Sequence, residues 1–100
     1  MMAINIYAKG IKYDVTATME DDYSVIMKKG GMIAIESGKS LSRKVAKLRE
    51  NPEFVDLEGR IIKEISFKSV STAACFVTGT MSNGFKIWHY ESNGELIKRK

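Results

Sequence analysis

The chain has 100 residues, 44% hydrophobic and 28% charged, enough for one core and too few for two, so a single domain over residues 1–100 is expected. No apolar run approaches the length of a membrane-spanning helix, and one cysteine excludes an internal disulfide. A formal net charge of +4 suits an anionic partner and equally suits a merely solvated surface. Residues 1–6 lack the basic leader, apolar run and small-residue cleavage site of an export signal, which points to the cytoplasm.

Ile4, Ile6 and Ala8 alternate with Asn5, Tyr7 and Lys9, and beyond Gly10 the residues Ile11, Tyr13, Val15, Ala17 and Met19 alternate with Lys12, Asp14, Thr16 and Thr18. A period of two predicts strands. Lys9-Gly10 reads as a short hairpin link and Glu20-Asp21-Asp22 as a second turn, after which residues 23–27 are extended again. Lys28-Lys29-Gly30-Gly31 then leads to a fourth expected strand at residues 32–35. Residues 1–35 thus read as an antiparallel meander with one apolar face, which helices must cover.

The first such helix is expected over residues 40–49, where Leu41, Val45 and Leu48 share a face and Asn51-Pro52 ends the run. Arg43, Lys44 and Lys47 cluster on one flank, and Lys39 extends their stripe by a turn. Two readings stand for the stripe: cations that track a phosphate backbone, or long side chains that cover an apolar edge and point their charges to water. The charge comes in blocks, basic over residues 28–49, acidic through Glu50, Glu53, Asp56, Glu58 and Glu64, and basic again through Lys68, Lys86, Lys98, Arg99 and Lys100. Residues 54–57 and 61–67 read as extended pieces around Glu58-Gly59-Arg60.

The most informative stretch begins at Lys68-Ser69-Val70-Ser71-Thr72-Ala73-Ala74 and runs through Gly79 to Asn83-Gly84-Phe85-Lys86-Ile87-Trp88. Ser69 suits a helix N-cap and Gly79 a left-handed C-terminal position; Val70, Ala73, Ala74 and Val77 put one apolar face between them. Residues 85–90 read as a strand, Ser92-Asn93-Gly94 as a turn into Glu95-Leu96-Ile97, and the tail Lys98-Arg99-Lys100 is expected to fray. The fold class is therefore α+β: an antiparallel meander sheet covered by two short helices, with a C-terminal hairpin.

The pattern S-x-S-x-A-A-x-x-x-x-G-x-x-x-N-G-F-x-x-W resembles the restriction enzyme and adenine methylase associated (RAMA) domain and a similar uncharacterised domain found behind GIY-YIG-type nucleases. The likeness covers residues 23–97 and leaves residues 1–20 outside. Val70 stands where the family usually has proline, and Phe85 where it has tryptophan. The resemblance implies a DNA-reading accessory of restriction or modification systems, without catalysis. It also raises recognition of methylated adenine, with Trp88 or Phe85 as an aromatic wall and Asn83 as a polar edge.

The residues themselves offer little to an enzyme. His89 is the only histidine and Cys75 the only cysteine, too few for a Cys-His pair with a spare ligand or a zinc cluster, and nothing implies a cofactor. Alternation puts His89 on a face with Phe85 and Ile87. Lys68, Ser69, Ser71 and Thr72 gather a cation, three hydroxyls and first-turn amides, a chemistry suited to an oxyanion or to plain capping. Lys86, Trp88 and Tyr90 alternate onto one strand face: a stacking surface if exposed, a core anchor if buried. The expected partner is double-stranded DNA, methylated or not, bound by Lys39, Arg43, Lys44 and Lys47 on the same side of the molecule as the Ser69 helix mouth; no membrane is involved. The alternative is a protein-interaction module or small inhibitor from a bacterial or phage mobile element, partnered by a protein such as a nuclease or methylase.

Overall fold

The computed structural model describes residues 3–36, 38 and 41–99. Alternation produces three consecutive strands, β1 (Ile4–Lys9), β2 (Asp14–Met19) and β3 (Val25–Met27). They are followed by helix α1 (Arg43–Glu50), strand β4 (Ile65–Phe67), helix α2 (Val70–Thr78), the single turn α3 (Gly84–Ile87) and β5 (His89–Tyr90). All pairings are antiparallel and the sheet order is β4-β3-β2-β1-β5, an α+β architecture. No helix among the described residues is long and apolar enough to cross a membrane.

The meander has three strands, not four. Residues 32–35 make only one isolated pairing on the sheet, Met32 with Asp14, and a second with Arg60. Their backbone is drawn to other partners instead, Ile33 N to Gly59 O and Ala34 N to Val77 O, and β4 fills the place beside β3. The first hairpin also departs from expectation. Gly10 N bonds Tyr13 O, so Ile11 and Lys12 lie in the loop rather than in β2.

Register puts Ile6, Ala8, Val15, Ala17, Met19, Val25, Met27, Ile65 and Phe67 on the covered face, where all are buried. On the other face Asn5, Thr18, Ile26 and Ser66 form a row across four strands. Tyr7 there pairs with His89 and stacks on it, ring centroids 5.3 Å apart. His89 therefore does not share a face with Phe85 and Ile87; its Nδ1 instead bonds Gly94 O at 2.9 Å.

α2 lies against the covered face. Val70, Ala73, Ala74, Phe76 and Val77 are all buried, and the two alanines allow neighbours to approach closely. Both predicted caps are present: Ser69 Oγ accepts from Thr72 N at 3.1 Å, and Gly79 adopts φ +79°. Replacing Ser69 by alanine is expected to cost about 1 kcal/mol, read as a lower urea midpoint at unchanged slope.

Residues 84–87 are the largest local departure. The strand expected over residues 85–90 begins only at His89, because Asn83 caps a helical turn by accepting from Phe85 N at 2.9 Å. Gly84 allows that turn to sit on α2: a Cβ there would lie 2.5 Å from Val70 C. The C-terminal hairpin then forms as expected, with Tyr90 N bonded to Glu95 O and Ile97 N to Trp88 O.

The tail is fixed as far as it is described. Tyr23 OH donates to Lys98 O at 2.7 Å, Lys98 N donates to Tyr90 OH at 3.1 Å, and the Arg99 guanidinium lies 4.5 Å from the Phe85 ring centroid. Tyr23 is held in the left-handed region at φ +66°, and its ring meets Phe85 edge-on at 5.4 Å. Expected fraying is thus replaced at Lys98 and Arg99 by two tyrosine hydroxyls and a cation–aromatic contact.

Candidate nucleic-acid interface

α1 starts later than its apolar spacing suggested. Ser42 is its N-cap, its hydroxyl accepting from Val45 N at 3.3 Å, so Leu41 packs on the core from ahead of the helix. At 100° per residue the helix presents three faces. Val45 and Leu48 pack into the core; Ala46, Arg49 and Glu50 line a groove; Arg43, Lys44 and Lys47 are exposed to water.

Arg49 holds the helix in place. Its Nη1 donates to Phe76 O and its Nη2 to Ala34 O, with Ile35 O and Glu36 O at 3.4 and 3.3 Å from Nη2. Burial lowers its pKa from the ordinary arginine value by desolvation, yet a guanidinium stays charged in a protein. The same junction explains Gly79, where a Cβ would stand 2.2 Å from Glu36 O and 3.0 Å from Arg49 Nη2.

Between described residues the only ion pair is Lys12 with Glu36, at 3.3 Å. Arg43, Lys44 and Lys47 are therefore exposed cations with no described carboxylate paired to them. Lys39 lies outside the described residues.

At the α2 mouth the expected trio of hydroxyls is largely spent. Ser69 Oγ serves Thr72 N and shares a hydrogen bond with Thr72 Oγ1 at 2.9 Å, while Ser71 Oγ accepts from Gly84 N at 3.1 Å and ties down α3. Thr72, Lys68, Asn83 and Lys86 are exposed, but the Asn83 carbonyl oxygen is occupied as a cap. Trp88 is corrected outright as a surface candidate. It is fully buried, its Nε1 donating to Val70 O at 3.0 Å, and since residues 84–87 are helical, Lys86 and Trp88 share no strand face.

The cations expected on one side of the molecule belong to two separate elements. Arg49 anchors α1 at Phe76, seven residues along α2 from Ser69, which is about 10 Å of helical rise. Lys68, Lys86 and Arg99 gather at the Ser69 end, where Gly84 meets Val70 and Arg99 meets Phe85. That end is electrically mixed, because Glu20 and Asp21 line a small cleft with Lys98 and Arg99. Arg49 and Tyr23 were absent from the candidate residues. Arg49 stands four residues after Val45, which places it on the flank of the apolar face, the one available signal for its anchoring role.

These features define a small α+β domain with an open sheet and a basic helix. The chain belongs to the family described as Domain of unknown function (DUF4357), which matches residues 5–99. The match begins inside β1, so the first hairpin, placed outside the earlier resemblance, is part of the family's domain. No curated protein and no solved structure matches the chain.

Proposed function

We propose that the protein is a non-catalytic DNA-binding accessory module that grips the phosphate backbone through α1. The observation that carries this is the set Arg43, Lys44 and Lys47, exposed and unneutralised by any described carboxylate on a helix that Arg49 locks to the body of the fold. Lys68 and Lys86 add a second group. Both are exposed at the Ser69 end of α2.

Such contacts are largely blind to sequence. Trp88 is buried, and the Phe85 ring is already engaged by Tyr23 and Arg99, so neither offers a free wall for a methylated base. Methylated and unmethylated duplexes are accordingly bound alike. The likeness to restriction and adenine methylase associated domains, and to the domain behind GIY-YIG nucleases, supports a cytoplasmic role beside a nuclease or a methylase. Arg43→Glu combined with Lys47→Glu is expected to weaken duplex binding by about tenfold or more in fluorescence anisotropy. Both side chains are exposed, so Tm should hold. A folded variant that binds as tightly as the parent would remove α1 from the interface.

A further inference from the structure

The third face of α1 borders a groove of about 530 Å³, formed where residues 33–35 and 52–59 meet the helix. Its walls are mostly apolar, including Ile33, Ala46, Pro52 and Val55. Gly59 makes the junction possible: it has φ +87°, and a Cβ would stand 2.8 Å from Ile33 O. Two large apolar side chains on the rim are uncovered, Ile35 at 70% exposure and Leu57 at 101%. Both also line the groove, so they border whatever fills it. A chain crossing the rim would cover them.

Of the charged residues that line the groove, two are carboxylates and one is Arg49. Glu50 and Asp56 line it, and Glu53 and Glu58 sit on the segment that forms its wall; all four are exposed and in no ion pair between described residues. Asp56 Oδ1 accepts from Glu58 N and Arg60 N, which fixes its carboxylate without neutralising it. The nearby arginines are turned elsewhere, Arg49 into the carbonyls of Phe76 and Ala34, and Arg60 to Gly30 O at 3.0 Å.

We infer that this groove is the docking site for a segment of a partner protein that presents bulky apolar side chains flanked by lysine or arginine. Apolar burial on Ile35 and Leu57 supplies affinity, and the carboxylates supply selection against acidic segments. Because the groove and the exposed cations occupy different faces of α1, a partner and a duplex can be held at once. The protein then serves as a bridge between DNA and the protein it recruits.

A random-peptide library displayed on phage and panned against the full chain tests this. Enrichment of apolar residues flanked by lysine or arginine is expected, and a synthetic peptide made from the selected sequence should bind Ile35→Ser/Leu57→Ser about tenfold more weakly. Both positions are exposed, so the variant should keep its Tm; Glu50→Lys gives an independent check and should weaken the same peptide. No enrichment, enrichment without basic residues, or peptides indifferent to both variants would overturn the inference. So would self-association in sedimentation that the Ile35→Ser/Leu57→Ser variant abolishes, since a second copy would then fill the groove. DNA titration of that variant is read separately and should match the parent, so the two proposals fail independently.

Discussion

Trp88→Ala is expected to cost about 3–5 kcal/mol, comparable to the whole stability of a marginal domain of about 5 kcal/mol. The indole is fully buried where α3 passes into β5, and its N–H reaches Val70 O in the first turn of α2. Removing it opens a cavity between the helix and the C-terminal hairpin and deletes a buried hydrogen bond together. Trp88→Phe separates the two losses. It keeps much of the volume and gives up the N–H donor, for an expected cost of about 1–2 kcal/mol. Urea denaturation should be followed by far-UV circular dichroism, because Trp88 is the only tryptophan and its fluorescence leaves with it. A Trp88→Ala protein as stable as the parent would mean that the ring contributes nothing to joining α2 and β5.

Arg49→Met is the second large effect, expected at about 2–4 kcal/mol. The methionine fills part of the space but leaves the carbonyls of Phe76 and Ala34 without the donors that now serve them. Arg49→Lys should fall between parent and Arg49→Met, since one ammonium cannot reproduce a planar fork directed at carbonyls on two separate segments. Hydrogen exchange adds a readout specific to the anchoring role. Protection should fall first in α1 and in residues 33–36, ahead of the strands, if Arg49 joins those segments to α2. Uniform loss across the chain would instead assign Arg49 to the general core.

Where the sequence was legible, the decisive interactions were local. Ser69 and Gly79 bound α2 because capping depends on a few neighbouring residues, and the alternation from Ile4 to Met19 follows from the pleat itself. Residues 85–90 read as one strand because Phe85 and Ile87 fit a period of two over so short a run, yet only His89 and Tyr90 are strand. Helix formation over residues 84–87 depends on the Asn83 cap and on Gly84 lying against Val70, fourteen positions earlier in the chain. Residues 32–35 depart from a strand for a related reason: their backbone partners are Asp14, Gly59 and Val77, which no local pattern reveals.

The candidate site divides in the same way. The exposure of Arg43, Lys44 and Lys47 follows from their helical spacing relative to Val45 and Leu48. The engagement of Ser71 by Gly84, the burial of Trp88 and the tethering of Lys98 by Tyr23 and Tyr90 all arise from tertiary contacts. The groove was invisible for the same reason, since its walls come from three segments and its rim residues, Ile35 and Leu57, look in sequence like ordinary strand positions.

Duplex DNA titrated at two salt concentrations puts the phosphate-binding claim to its most direct test. The three α1 contacts alone predict that affinity falls by at least roughly 40-fold between about 50 and 200 mM monovalent salt, equally for methylated and unmethylated duplexes. No binding at the lower salt, or an affinity that does not change with salt, would contradict it.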